Sequence, residues 1–136
     1  MIALIDSDVL LDVALQRKPW AATSNRVLDL APSGLIQGFV SWHSVANIHY
    51  IARQNDMDDR LGFIRAMLRH LTTTTVGHAD MLFALEQSIS DFEDAMQVAA
   101  AIACRATRIV TRNTRDFRNS IVPAVTPAEL LKEIGE

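Results

Sequence analysis

Cysteine is almost missing: Cys104 is the only one in 136 residues. A lone thiol excludes an internal disulfide framework and a cysteine-based zinc cluster, and it favours a reducing compartment such as the cytoplasm. Glycine and proline are few, at 5 and 4, which argues against a collagen-like or low-complexity chain. No apolar run reaches membrane-spanning length, and no basic region precedes the apolar start, so the amino terminus does not read as a signal peptide. The net charge of -3 does not suggest a general polyanion binder. The balance is uneven, however. Eleven of the thirteen basic residues are arginine, and Arg105, Arg108, Arg112, Arg115 and Arg118 fall in one short segment. A net charge can hide a local basic patch beside an acidic pocket. At 49% hydrophobic and 21% charged, the chain reads as one globular domain over residues 1–136.

Periodicity and caps predict alternating strands and helices. Ile2 to Ile5 is a short apolar run of the kind buried on both faces of a parallel sheet. Asp8 to Leu15 has helical spacing, and a helix from Trp20 to Ala31 is closed by Pro32-Ser33-Gly34. Leu35 to Val40 is a second strand. The next helix, capped by Ser41 or Ser44, runs to about Gln54. Another spans about Met57 to Leu71, with Leu61, Ile64 and Leu68 expected inward. The β-branched run Thr72 to Val76 favours a third strand, and a helix follows from His78 to about Gln87. Ser90 to Glu93 fits a capping box, opening a helix to about Cys104. A strand lies within Ala106 to Thr111, and an edge strand is expected at Pro123 to Thr126. The capping box Thr126-Pro127-Ala128-Glu129 starts a terminal helix. This alternation predicts an α/β fold: a three-layer α/β/α sandwich around a central parallel sheet.

Three stretches carry candidate chemistry. Asp6 directly follows the first strand, where open α/β sheets place ligands. Asp8 and Asp12 follow closely, and such charges repel unless water or a cation compensates them. Their structural alternative is a helix cap for Asp8 and a solvated group for Asp12. The second stretch is Asp91 to Ala101. Asp94 lies on a helix that is otherwise apolar or small, and a carboxylate there costs several kcal/mol unless it is paired or binds a metal (roughly). Asp91 shares its face, although favouring the positive helix end would also explain it. The third is Thr111 to Phe117, where Thr111, Asn113 and Asp116 follow an apolar strand; loop-turning roles suit the first two equally well. Asp6, Asp94 and Asp116 would converge at one sheet edge, and hard oxygen ligands suit Mg²⁺ or Mn²⁺. Arg112 and Arg115 could hold flanking phosphates. Trp42 and Tyr50 could stack on bases, but half-buried helix aromatics are more often core.

The opening LIDSDVLLD, the segment ISDFEDAMQVAAA and the segment RIVTRNTRDF resemble the three signature regions of PIN domains, in order and across the whole chain. The resemblance implies a Mg²⁺- or Mn²⁺-dependent ribonuclease of the VapC-toxin type. It also implies an RNA substrate, a cognate antitoxin protein that covers the site, and a homodimer, for which apolar residues between Val45 and Leu68 are candidates. Carried over, Asp6, Asp94 and Asp116 match the catalytic acids, with Thr111, Asn113 and Asp91 in support. One position departs from the pattern. Where the family usually has a glutamate after the second strand, this chain has Asn47, as in a branch with Ala-Asn-Ile there. A neutral oxygen supplies less charge to a cation, although Asn47 could still orient a metal-bound water in a supporting role and Asp91 could partly compensate. The alternative is therefore a PIN-like binding module with weakened or absent catalysis. A phosphatase of the haloacid dehalogenase type, suggested by Asp6-Ser7-Asp8-Val9, lacks a well-placed lysine, and its Asp58-Asp59 pair follows no strand.

Overall fold

The computed structural model describes residues 1–136. Five strands form one sheet: β1 (Ile2–Ile5), β2 (Gln37–Val40), β3 (Leu71–Thr73), β4 (Arg108–Val110) and β5 (Ala124–Val125). Their order is β3-β2-β1-β4-β5, and every pairing is parallel. Seven α-helices cover it: α1 (Ser7–Ala14), α2 (Ala21–Asp29), α3 (Trp42–Gln54), α4 (Arg60–Met67), α5 (His78–Leu85), α6 (Phe92–Ala103) and α7 (Pro127–Ile134). A short 3-10 turn at Thr114–Phe117 follows β4. No helix is long and apolar enough to cross a membrane.

The period-2 alternation of strand side chains sorts β1 between two cores. Ala3 and Ile5 face a core with Val9, Leu10, Val27, Ile48 and Leu130, under α1, α2, α3 and α7. Leu4 faces a second core with Val98, Ala101, Ile109 and Phe117, under α6 and the 3-10 turn. This is the expected α/β/α sandwich. Because the chain winds outward from β1 to β3 and then crosses to β4 on the other side of β1, the topological switch lies between β1 and β4. Ligands of open α/β sheets bind outside the carboxyl ends of the strands at such a switch.

Several boundaries differ from the sequence expectation. Asp6 rather than Asp8 caps α1, its Oδ1 accepting from the Ser7 N–H at 2.8 Å. Asp91 rather than Ser90 caps α6, accepting from the Asp94 N–H at 3.1 Å. Helix α4 starts late because Asp59 adopts a left-handed φ of 49° and caps Gly62. Its inward face is also rotated: Ile64 packs against the core as expected and Met67 is buried, whereas Leu61 and Leu68 are exposed. Strand β3 begins one residue early and ends at Thr73. The box at Thr126 and Glu129 is complete.

Candidate metal centre

The carboxyl ends of β1 and β4 lie side by side because Ile5 pairs with Val110. Asp6 and Thr111 are the next residues on each, and the Thr111 hydroxyl donates to Asp6 Oδ2 at 2.8 Å. The other carboxylate oxygen, Oδ1, accepts from Ser7 N–H and from Gln97 Nε2 at 2.7 Å. Both oxygens are therefore fixed, on a residue 4% exposed. Gln97 also donates to the Ser44 hydroxyl at 2.8 Å, and Ser41 donates to Ser44 at 2.6 Å. This chain of neutral groups ties α3, α6 and β1 together. The Gln97 carbonyl Oε1, buried on the same amide, has no partner.

Asp8 sits in the first turn of α1. Its Oδ2 accepts from the Arg112 backbone N–H at 2.9 Å, from Thr111 at 3.3 Å and from Asn113 Nδ2 at 3.4 Å. Asp94, half-buried on α6, neighbours Glu93 and Asp91, and acceptor oxygens of all three lie within 4.8 Å of one another. His43 Nε2 of α3 meets Glu93 Oε1 at 3.1 Å. One turn further along α3, Asn47 donates to the Ser7 hydroxyl at 3.4 Å.

Crowded acids in low dielectric hold their protons. Burial first, and then the charge of Asp8, pushes the Asp6 carboxyl up to about 6, against the hydrogen bonds from Thr111 and Ser7. Burial, followed by Asp91, Glu93 and Asp6, pushes Asp94 up to about 8. Asp8 is raised too, chiefly by burial, although the Arg112 N–H and guanidinium oppose it. The centre thus gathers carboxyls that burial and mutual repulsion keep prone to protonation. Its donors are hard oxygens, and one buried carbonyl has no partner, a set that fits a hard divalent cation.

The other sequence candidates are distributed around this centre. Asp116 and Arg115 are exposed on the 3-10 turn, and Asp116 lies outside the acidic group at Asp91, Glu93 and Asp94. Arg112 is held from below: its Nε donates to Asp12 Oδ2 at 2.6 Å and its Nη2 to Oδ1 at 3.2 Å, with the guanidinium 3.9 Å from the Trp20 ring centre. Asp12 is fully buried rather than solvated, and it also faces Arg17 at 3.7 Å. Trp42 and Tyr50 are 70% and 61% exposed, which removes them from the core. Sequence reasoning missed Gln97, Ser44, Glu93 and His43. For Gln97 a signal was present: it is the one polar residue between Ala95 and Ala103, three positions from Asp94 and on its face.

The family model described as PIN domain matches residues 3–115. No curated protein sequence matches the chain. Among solved structures, a toxin–antitoxin complex from Klebsiella pneumoniae superposes with a TM-score of 0.69 at 23% identity, covering 92% of this chain and 97% of that one. VapBC2 from Rickettsia felis, bound to a DNA fragment from its promoter, gives 0.73 at 15% identity, covering 93% and 98%. PAE2754 from Pyrobaculum aerophilum gives 0.68 at 12%, covering 99% and 96%. At these identities the likeness is one of fold.

Proposed function

Since the chain belongs to the PIN domain family, we propose that it is a Mg²⁺- or Mn²⁺-dependent ribonuclease of the VapC-toxin type, hydrolysing RNA phosphodiester bonds. The observation that carries this reading is the pair Asp6 and Asp94. Asp6, at the topological switch of the parallel sheet, and Asp94, at the start of α6, both have raised pKa values, and the charge of Asp6 contributes to the rise at Asp94; groups perturbed in this way concentrate at functional sites. A bound divalent cation would supply Lewis-acid stabilisation of the phosphoryl oxygen and a water of lowered pKa.

The chain's own groups do the rest. Asp6 presents a carboxylate held on both oxygens, so little side-chain freedom is lost when it binds a cation. Asp94 offers a second carboxylate from the first turn of α6, and Asp91 caps that helix and adds negative charge. Asp116 is proposed to close the set through a water, in keeping with the several waters magnesium retains. Thr111 orients Asp6, and Asn113 steadies Asp8. Arg115, exposed, and Nη1 of Arg112, the guanidinium nitrogen turned neither to Asp12 nor to another acceptor, are proposed to grip RNA phosphates. An antitoxin would cover the centre with a basic residue that offsets its charge. A homodimer would use apolar groups between Val45 and Leu68, of which Leu61 and Leu68 are exposed. A reducing cytoplasm suits the free thiol of Cys104.

Cleavage of single-stranded RNA with Mg²⁺ or Mn²⁺, lost on chelation and in Asp6→Asn, is the test. Asn47 favours a second reading, a PIN-like module that binds RNA or protein without turnover. RNA binding by folded wild type with no cleavage at any metal concentration would select it.

A further inference from the structure

Position 47 is where this chain departs from the acidic pattern, yet the face of α3 that carries it is not short of a carboxylate. His43 and Asn47 are one turn apart on α3 and share a face. The turn at His43 meets Glu93 Oε1 at 3.1 Å, while Asn47 meets only Ser7. Glu93 belongs to α6, next to Asp94, and its oxygens lie within 4.8 Å of those of Asp94 and Asp91. Its charge is felt at both Asp6 and Asp94. A carboxylate therefore stands beside the first turn of α3, brought there by the neighbouring helix. A second feature points the same way. Gln97, one turn after Glu93 on α6 and fully buried, touches Asp6 through Nε2 and leaves Oε1 without a partner. A buried carbonyl without a donor calls for a cation or a water beside it.

We propose that Glu93, steadied by His43, supplies the anionic ligand that Asn47 does not, so that a divalent cation is taken between Asp94 and Glu93, beside Asp6. The proposal deepens the nuclease reading and rests on it for the identity of the metal. It makes the chain a rearranged metal site, with the third charge moved from α3 to α6, rather than a weakened one. His43 is a positioning residue: its imidazole holds Oε1 of Glu93.

The test is Mn²⁺ titration of the full chain without RNA, following the resonance signal of free Mn²⁺. Glu93→Gln should weaken binding by about tenfold or more, since affinity at such sites follows the number of charged ligands. Asn47→Glu placed in the Glu93→Gln background should restore it, because it returns a carboxylate to the α3 face. Circular dichroism of each variant confirms folding, and Glu93, part-exposed in the first turn of α6, tolerates an isosteric change. Unchanged Mn²⁺ affinity in Glu93→Gln overturns the proposal, as does a loss that Asn47→Glu leaves in place. RNA cleavage followed in the same samples separates the two ideas. Cleavage by a Glu93→Gln protein that binds Mn²⁺ normally removes this ligand assignment and keeps the nuclease. Loss of Mn²⁺ binding in Glu93→Gln, in a protein whose wild type never cleaves RNA, keeps the ligand and removes the nuclease.

Discussion

Replacing Asp6 by asparagine should make the metal-free protein more stable, and the gain should depend on pH. Folding raises the Asp6 carboxyl from 3.8 to about 6, mainly by burial. At about 1.4 kcal/mol per pH unit, the ionised form is then about 3 kcal/mol costlier in the folded chain than in the unfolded one. The sign follows from a raised pKa. Stability is fully present below about pH 4 and is lost as pH rises through about 6, so the penalty is complete by about pH 8. Asparagine carries no such charge and keeps the geometry. Its Oδ1 still accepts from Ser7 and Gln97, and its Nδ2 donates to Thr111 Oγ1, whose proton turns to Asp8 Oδ2 at 3.3 Å. Urea unfolding in chelator should therefore show Asp6→Asn stabilised by up to about 3 kcal/mol at about pH 8 and by almost nothing at about pH 4. The melting temperature should move by roughly 10 °C at the higher pH. A variant less stable than wild type at the higher pH, or a difference that is the same at both, would refute the reasoning that burial strains this carboxylate.

Other consequences can be measured alongside. Asp12→Ala leaves Arg112 without the partner it grips at 2.6 Å, and breaking such a buried pair should cost about 3–5 kcal/mol in urea unfolding; a loss no larger than that of a surface ion pair would contradict the pairing. Mn²⁺ affinity should climb with pH up to about 8, because the ion must displace a proton from Asp94; calorimetry between mildly acidic and mildly basic buffers would show it, and a flat profile would oppose it. Gly38→Ala should destabilise by about 1–3 kcal/mol, since its Cβ would lie 2.5 Å from Leu71 Cδ2 in the packed contact between β2 and β3; an unchanged unfolding midpoint would mean that Leu71 moves freely.

The parts of the molecule written in local pattern were legible in the sequence. Strand β1 is four apolar residues ending in a carboxylate, so both its burial and the placement of Asp6 followed from the run itself. Asp94 stood out because a charge interrupts an otherwise apolar helix. What escaped was set by groups far apart in the chain. Asp12 looks like a solvated helix residue until Arg112, a hundred positions later, closes on it. Gln97 carries no charge and titrates nowhere, so its tie to Asp6 across 91 positions left only the trace of a polar residue in an apolar stretch. Leu61 and Leu68 have helical spacing, but the face of α4 that packs against the core is that of Phe63, Ile64 and Met67, a choice set by how the helix lies on its neighbours. For Asn47, the sequence pointed to a missing charge and to Asp91 as its partial substitute. The structure puts Glu93, anchored by His43, beside that helix face.

The most direct test of the central claim is an anomalous difference map from a crystal of the full chain soaked in Mn²⁺. The account predicts a peak at coordination distance, about 2.0–2.2 Å, from carboxylate oxygens of both Asp6 and Asp94. A well-ordered map with no peak there, or with Mn²⁺ bound only at acids elsewhere on the surface, would contradict it.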